Sequence, residues 1–234
     1  YPFNNTVTSM AYSPIDPSHW YVMTYNGTFY HSTDYGESWT MTSGFSGPES
    51  HYFYGSTIHP SNQDLGKVVI GGSGYSNDPV FISYNHGQSF QSFSEGLPNT
   101  MVFEIDGTLT DQVLFAATQL GPYAYVEGEG EWINIMGFSA PDQTYWSLEY
   151  VPEINTARFG TYGRGIWDFI IDENIDVSYG DLNQDSTINI QDVILLINII
   201  LDQLDFIIEA DLNQDEEIDV IDVILLVNII LGTE

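Results

Sequence analysis

The chain has 234 residues, of which 43% are hydrophobic and 15% aromatic, enough for one large domain or a domain with a small module. Lys and Arg number 3 against 33 Asp and Glu, so the formal charge is −30. This charge excludes nucleic acid and anionic membrane surfaces as partners, because no basic patch can neutralise phosphates. Cysteine is absent, which excludes disulfides, thiolate metal sites and a cysteine nucleophile.

The composition changes near Ser178–Gly180, and we predict two domains, residues 1–175 and 180–234. Aromatic residues, Gly, Ser and Thr dominate the first, whereas Asp, Asn, Ile and Leu dominate the second, which has no basic residue. No apolar run reaches the length of a membrane span, so we predict no membrane insertion. The chain opens at Tyr1 without an initiator Met or a signal peptide, and we expect a processed product or a fragment of a longer protein.

Short strand-like runs repeat four times in the first domain. A hydroxyl residue marks each repeat, and Thr24, Ser73, Thr118 and Thr161 are 49, 45 and 43 residues apart by subtraction. Such a period, built of short strands, is typical of β-propeller blades of roughly 40–50 residues. Because propellers commonly close with about 4–8 blades, we expect an incomplete propeller with further blades before Tyr1.

A turn motif accompanies these repeats. The first copy reads STDYGESW and has its key residues at Ser32, Asp34, Gly36 and Trp39. The second copy reads SYNHGQSF, with key residues Ser83, Asn85, Gly87 and Phe90; a worn third copy covers Glu127–Trp132. The Asp or Asn side chain of such a turn accepts hydrogen bonds from turn amides, and Gly takes the positive φ. The motif therefore predicts a structural role.

The pattern resembles the Asp-box, or BNR, repeat of the propellers in sialidases, sortilin-type receptors and xyloglucanase-like glycosidases. The closing segment Gly160–Trp167 is similar to the terminal strands of secreted bacterial members. The resemblance implies propeller blades that present a binding surface, with a glycan as one candidate ligand. It also implies a secreted or cell-surface bacterial protein.

Catalysis by these blades is limited by the residues available. Sialidases of the family hold their substrate with three arginines, and this chain offers only Arg158 and Arg164, which excludes a self-contained sialidase. A glycosidase with two carboxylates stays open. The candidate carboxylates are Glu104, Asp106, Asp142 and Glu149, and the sequence does not pair them in space.

A second repeat lies in the last domain, where Gly180–Asp185 recurs 30 residues later as Ala210–Asp215. Each copy has oxygen-bearing residues at loop positions 1, 3, 5, 7, 9 and 12, the positions from which an EF-hand-like loop ligates Ca²⁺. In the first loop these are Asp181, Asn183, Asp185, Thr187, Asn189 and Asp192. In the second they are Asp211, Asn213, Asp215, Glu217, Asp219 and Asp222. We predict two Ca²⁺ ions, whose four positive charges offset part of the seven ligand carboxylates of the loops, and a module that is loose without them.

Three features of this segment resemble the type I dockerin domain: Asp at position 12, a loop followed by a helix with no incoming helix, and the tandem spacing. The predicted fold class is thus mainly β propeller blades with a small all-α, EF-hand-like module at the C-terminus. Position 6 departs from the pattern, because Ser186 and Glu216 replace the usual Gly. The resemblance implies cohesin contacts at Ile190, Gln191, Ile197, Asn198, Val220, Ile221, Val227 and Asn228.

The segments Val193–Leu201 and Val223–Leu231 each contain a single polar residue, Asn198 or Asn228. A pair of such helices buries only one stripe on each, so the remaining apolar area needs a partner. We consider a cohesin-like domain, the chain's own propeller, or another copy of the chain, in contacts that salt affects little. The near-symmetry of the repeat permits two binding orientations.

Our main hypothesis is a secreted, non-catalytic assembly protein. The rival is the C-terminal part of a secreted glycoside hydrolase in polysaccharide degradation, and the third candidate is a structural or adhesive fibre subunit.

Overall fold

The computed structural model describes residues 3–48, 57–137, 140–171, 180–183, 187–201, 210–213 and 217–231. The chain forms two compact units, Tyr1–Ile171 and Asp172–Glu234. Residues 172–179, where we predicted the domain boundary, lie outside the described residues. The limits at 175 and 180 therefore stay a prediction.

The described residues of the first unit form four antiparallel sheets in chain order, which we call blades 1 to 4. Blade 1 contains β1 (Val7–Tyr12), β2 (Trp20–Thr24), β3 (Phe29–Ser32) and β4 (Thr40–Met41). Blade 2 contains β5 (Thr57–Pro60), β6 (Val68–Gly71), β7 (Val80–Ser83) and β8 (Gln91–Ser92). Blade 3 contains β9 (Val102–Gly107), β10 (Val113–Thr118), β11 (Gly121–Val126) and β12 (Trp132–Asn134). Blade 4 contains β13 (Tyr145–Val151), β14 (Thr156–Thr161) and β15 (Ile166–Ile170), with a 3₁₀ turn at Pro152–Ile154.

Neighbouring blades pack face to face, and we call the face toward the next blade in the chain the front face and the opposite one the rear face. Aromatic and β-branched residues fill these faces, so strands such as β6 are buried on both sides and read as continuous apolar runs. The core between blades 1 and 2 is made of Tyr21, Met23, Phe29, Ile58, Val68 and Ile70. Equivalent cores lie between blades 2 and 3 and between blades 3 and 4.

Polar side chains also join the first strands of successive blades. The Thr57 hydroxyl accepts a hydrogen bond from the Ile105 amide at 3.2 Å. The Glu104 carboxylate accepts one from the Leu148 amide at 2.7 Å, and Asp106 accepts one from the Tyr150 amide at 2.8 Å. These contacts satisfy amides on the open edge of each first strand, which its own sheet does not pair.

The second unit contains α1 (Ile190–Ile200) and α2 (Val220–Leu231). Both helices start next to an acidic loop, and their inner faces form a common core with the loops. Its buried members are Leu182, Val193, Leu196, Ile199, Ala210 and Leu226. Gly180 has a φ of +97° and lies so close to Leu226 that a Cβ would be 2.7 Å from its side chain, which explains the glycine.

Candidate functional site

The two acidic loops of the second unit have the same hydrogen-bonding pattern. In the first loop, Asp192 Oδ1 accepts the amides of Leu182 and Asn183 at 2.9 and 3.2 Å, and Asp192 Oδ2 accepts the amide of Asn189 at 2.8 Å. The position-12 carboxylate thus folds the loop back toward Asp181. Each contact is a charge-assisted hydrogen bond to a backbone amide.

The second loop reproduces this arrangement 30 residues later. Asp222 Oδ1 accepts the amides of Leu212 and Asn213 at 2.9 and 3.4 Å, and Asp222 Oδ2 accepts the amide of Asp219 at 2.8 Å. Each position-9 residue also directly precedes a helix and caps its first turn. The Asn189 side chain accepts a hydrogen bond from the Gln191 amide at 2.8 Å, and the Asp219 side chain accepts one from the Ile221 amide at 2.6 Å. The duplicated sequence therefore builds the same hydrogen-bonding pattern in the described part of both loops.

Burial and charge distinguish these loops from ordinary acidic surface. Asp192 and Asp222 are fully buried, and Asp181 and Asp211 are nearly so. Residues 172–234 contain no Lys, Arg or His. Buried carboxylates are costly unless they are paired with positive charge or coordinate a metal, and this segment supplies no cation of its own.

The other predicted ligands have different surroundings. Asn189 and Asp219 are half-buried at the helix starts, while Thr187 and Glu217 are exposed. The side-chain Nδ2 of Asn183 donates a hydrogen bond to Oε1 of Gln191 at 3.2 Å. Asp185 and Asp215, the predicted position-5 ligands, lie outside the described residues. Within the part of the chain that the structure describes, no three His, Asp or Glu side chains are grouped closely enough to hold a metal.

The outer surface of the helices carries an apolar stripe. On α1 and its C-cap residue, the exposed members are Ile190, Ile194, Ile197 and Leu201, at the spacing i, i+4, i+7, i+11. The equivalent positions of α2 are Val220, Ile224, Val227 and Leu231, of which Val227 is half-buried and the rest are exposed. We call these two sets together the outer stripe; it has the same 30-residue repeat as the loops.

The structure places the eight predicted partner residues unevenly. Ile190, Gln191, Ile197, Val220 and Ile221 are exposed, whereas Asn198, Val227 and Asn228 are half-buried. Four exposed residues of the outer stripe were missed by the family pattern: Ile194, Leu201, Ile224 and Leu231. Their helical spacing relative to Ile190 and Val220 was the signal that could have identified them.

The first turn motif has the predicted local geometry. Asp34 Oδ1 accepts a hydrogen bond from the Ser38 amide at 2.8 Å. The hydrogen bond from the Ser32 hydroxyl, followed by those from Ser38, lowers the pKa of Asp34 to about 2. Gly36 has a φ of +83°, and Trp39 Nε1 donates to its carbonyl at 2.9 Å. The hydrogen bonds of the Asp34 side chain are all made within the turn, to Ser32 and Ser38, and they stabilise its local geometry.

The second turn motif follows the first closely. Asn85 Oδ1 accepts the Ser89 amide at 2.9 Å, and the Ser83 hydroxyl accepts the Gly87 amide at 2.8 Å. Phe90 packs edge-on against Phe29 of blade 1 at a centroid distance of 4.9 Å. The worn third copy keeps only the glycine turn and Trp132, which is buried between blades 2 and 3.

A pocket of about 660 Å³ brings together three of the four candidate carboxylates, Glu104, Asp106 and Glu149, with His59 and Arg158. Asp142 is not among its lining residues. Burial raises the pKa of the Glu104 carboxyl, and the neighbouring carboxylates Asp106 and Glu149 raise it further. The hydrogen bond from the Leu148 backbone amide acts in the opposite direction and lowers this pKa. Two of the three carboxylates, however, accept backbone amides of blade 4, which indicates that they join blades.

Three histidines meet between blades 1 and 2. The rings of His19 and His86 stack with centroids 4.6 Å apart, and the Nδ1 atoms of His19, His31 and His86 are buried without a hydrogen-bond partner. Burial lowers the pKa of His31, and the neighbouring imidazoles of His86 and His19 lower it further. The pKa of His86 is lowered by burial and by His19, while the negative charge of Asp64 acts to raise it. Asp16 is the other facing charge, 3.8 Å from His19 Nε2.

This cluster predicts acid sensitivity well above the range in which carboxylates titrate. Because the folded pKa values of His31 and His86 lie below the unfolded value of about 6.5, the unfolded chain binds protons first, and stability falls as pH drops from about 6.5 toward the folded values. We expect a lower Tm at pH 5.5 than at pH 7.5. The double variant His31→Gln/His86→Gln should flatten that difference; an equal loss of Tm in the variant would contradict the assignment.

No described helix is long and apolar enough to cross a bilayer.

Comparison with known proteins gives one family and one fold. Residues 179–231 match the family model of the dockerin type I domain. No curated protein matches the chain. Among solved structures, an ancestral GH74 enzyme is similar at 18% identity with a TM-score of 0.59, over 73% of this chain and 26% of that chain. The GH74 xyloglucanase from Xanthomonas campestris is similar at 20% identity and a TM-score of 0.54, over 70% and 24%.

The computationally designed Ika4 protein is similar at 11% identity and a TM-score of 0.51, over 73% of this chain and 94% of that chain. At these identities the structures show the fold alone, and the chain spans only about a quarter of the length of the GH74 enzymes it matches. The predicted propeller architecture and the dockerin resemblance are both confirmed. The chain thus contains blades of the β-propeller fold followed by a segment, residues 179–231, that matches the dockerin type I domain.

Proposed function

We propose that the chain is a secreted bacterial assembly protein, in which a calcium-folded docking module, residues 180–234, attaches blades that present a binding surface. The observation that carries this proposal is the duplicated loop-and-helix unit, with buried carboxylates in a segment that has no basic residue. The match to the dockerin type I domain supports it. The predicted limit of the blades at residue 175 belongs to the same proposal.

Two Ca²⁺ ions would be held by the two loops. The first would use Asp181, Asn183, Asp185, Thr187, Asn189 and Asp192, and the second Asp211, Asn213, Asp215, Glu217, Asp219 and Asp222. This donor set is all oxygen, as a hard cation requires. The two ions would supply four positive charges against the seven ligand carboxylates of the loops, which lowers the repulsion within the loops.

Asp192 and Asp222 would each combine two tasks. A carboxylate has about four lone-pair sites, and each of these carboxylates accepts three amides, so acceptor capacity for a metal is left on each. Both residues sit in the first turn of a helix. Ordering the loops would therefore fix where α1 and α2 begin, and this in turn would order the residues of the outer stripe.

The outer stripe is the surface proposed to dock. Its eight residues are all aliphatic, and a continuous apolar face on a small module needs cover. A cohesin-like domain is the occupant that the dockerin family supports. With no basic residue in the unit, the contact would be apolar and weakly salt-dependent. The 30-residue repeat would allow the partner to bind in two orientations, related by exchanging the roles of α1 and α2. The chain's own propeller is the intramolecular alternative.

Binding to a type I cohesin domain tests this proposal. We expect association in calcium that is lost in EDTA and changes less than about threefold between 0.1 and 1 M NaCl, measured by calorimetry. The double variant Ile194→Lys/Ile224→Lys should weaken binding at least about 30-fold, because it buries charge. The matched control Ile133→Lys changes an exposed isoleucine on blade 3 and should bind normally. Calcium-independent or strongly salt-dependent binding would contradict the proposal.

A second candidate function is part of a secreted glycoside hydrolase. The similarity in fold to GH74 enzymes and the pocket with Glu104, Asp106 and Glu149 favour it. The use of Glu104 and Asp106 to bind blade 4 speaks against a catalytic pair within the described blades. If the chain hydrolysed xyloglucan and the variant Glu149→Gln did not, this alternative would be favoured. A fibre subunit, our third candidate, would instead show calcium-dependent polymers in light scattering.

A further inference from the structure

The outer strands of blades 2 and 3 enclose a groove of about 390 Å³. It lies beside β8, the edge strand of blade 2, and beside Trp132 of β12 in blade 3. Blade 1 packs against blade 2, and blade 4 packs against blade 3, so both blades that form the groove have described neighbours on their other sides. The volume of the groove is within the range of about 300–1,000 Å³ that is usual for small-ligand sites.

The segment 93–95, which lines the groove, is hydrogen-bonded to both blades. The Phe93 amide donates to the Val80 carbonyl of blade 2 at 3.0 Å. From blade 3, the Trp132 amide donates to the Glu95 carbonyl at 2.8 Å, and the indole Nε1 donates to the Phe93 carbonyl at 2.8 Å. The backbone that supports the groove is therefore fixed by the fold, which lowers the conformational cost of binding a ligand there.

Aromatic rings make up much of the lining. The ring centroids of Phe93 and Tyr125 are 4.5 Å apart, and those of Tyr125 and Trp132 are 5.7 Å apart. Tyr84, which belongs to the second turn motif, also lines the groove and is 58% exposed. A tyrosine presents an apolar ring face together with a polar hydroxyl. This combination matches a sugar, which has apolar C–H faces and hydroxyls around its ring.

The groove lies where the third turn motif is worn. By strand register, Tyr125 takes the position of Ser83, whose hydroxyl accepts the Gly87 amide at 2.8 Å in the second turn. At the equivalent edge between blades 1 and 2, buried Thr42 takes the position of Phe93 and donates to the Gly87 carbonyl. At the groove, two aromatic rings thus replace two hydroxyls that are bonded to the turn.

Polar side chains surround these rings. Gln91, Ser92 and Glu95 line the groove and are exposed. Among the described residues, no group forms a hydrogen bond with the side chains of these three. Their amide, hydroxyl and carboxylate groups offer both donors and acceptors, and the Tyr84 hydroxyl adds another of each. The groove can therefore bind several ligand hydroxyls at once.

Charge favours an uncharged ligand. Among the described residues, no Lys or Arg lines the groove, and Glu95 is its one carboxylate. Burial raises the pKa of the Tyr84 hydroxyl, and Tyr125 raises it further, as do the nearby carboxylates Glu127 and Asp64. An anionic polysaccharide would meet like charge here without a counter-charge. The free groups of the lining are mostly uncharged, which suits neutral hydroxyls.

We propose that this groove is a binding site for a neutral polysaccharide. The ring of Tyr84 would stack on the face of a sugar, while Gln91 and Ser92 would bind its hydroxyls. The site is separate from the pocket with the candidate carboxylates. The inference rests on the proposed function in one respect, that the blades present a binding surface, and it locates that surface; it requires neither calcium nor the outer stripe.

Affinity electrophoresis of the full chain in native gels that contain EDTA tests the proposal. The neutral probes are hydroxyethyl cellulose, galactomannan and arabinoxylan, the anionic probe is polygalacturonate, and the cationic probe is glycol chitosan. We expect at least one neutral polymer to retard the chain, and neither charged polymer to do so, because the groove has no cation and only one carboxylate.

Variants of one exposed tyrosine make the test specific to the groove. Tyr84→Ala should weaken binding to the retarding polymer at least about tenfold, because it removes the stacking ring. Tyr84→Phe keeps the ring and should bind within about threefold of the wild type. The matched control Tyr25→Ala changes a 43% exposed tyrosine between β2 and β3 of blade 1 and should bind normally. Equal Tm values would verify that all three variants are folded.

Three outcomes would overturn the proposal: a chain that no neutral polymer retards, retardation by a charged polymer alone, or a folded Tyr84→Ala variant that binds like the wild type. Because the gels contain EDTA, the result is separate from the calcium-dependent docking function. A chain that fails to bind saccharide can still bind cohesin in calcium, and a chain that fails to bind cohesin can still be retarded here.

Discussion

Asp192→Ala is expected to remove most of the α-helical circular dichroism contributed by the first loop and α1, and to weaken calcium binding. The substitution deletes three charge-assisted hydrogen bonds and leaves the amides of Leu182, Asn183 and Asn189 without their acceptor. Bonds of this kind contribute about 1.5–3 kcal/mol each, so the module should lose at least about 3 kcal/mol. The measurement is a calcium titration of the ellipticity at 222 nm, starting from EDTA.

Two comparisons make this result specific. Glu217→Gln neutralises an exposed carboxylate of the same unit and keeps the backbone carbonyl, so its titration should resemble that of the wild type. The unsubstituted chain should gain helical signal on adding calcium, because folding and metal binding are coupled. A wild-type signal that is identical in EDTA and in calcium would remove the basis for a calcium-folded module.

Trp132→Ala is expected to destabilise the blades by about 3–5 kcal/mol, since it empties the core between blades 2 and 3. The indole is almost fully buried and contacts Phe93 at a ring centroid distance of 5.7 Å. Its Nε1 also donates to the Phe93 carbonyl at 2.8 Å, and that acceptor would be left unsatisfied. Urea unfolding followed by tryptophan fluorescence at the other four indoles measures the loss.

The adjacent Ile133 supplies the control, because its side chain is exposed on the same strand. Ile133→Ala should change the midpoint of unfolding little, within about 0.5 kcal/mol. Equal effects of the two substitutions would show that the blades do not depend on this interblade core. The helical signal of the second unit should be unaffected by either change.

Local motifs were predictable from the sequence to the level of single hydrogen bonds. The role of Asp34 as an acceptor of the Ser38 amide and the positive φ of Gly36 follow from residues within one turn. The four-blade repeat and the duplicated loops followed from periodicity, and both resemblances were confirmed by fold and family comparison. The assignment of the loop residues to calcium remains a prediction, because Asp185 and Asp215 lie outside the described residues.

The sequence by itself determined the classes of structure, since turn motifs and loop ligands depend on residues about a dozen positions apart or fewer, and the blade and loop repeats can be counted along the chain. Only the tertiary structure decided that Glu104 and Asp106 join blades, because their amide donors lie 44 residues away in the chain. It also decided which helix residues form the outer stripe. Burial depends on what packs against a residue, and a strand pattern specifies that a face is apolar without specifying which neighbour covers it.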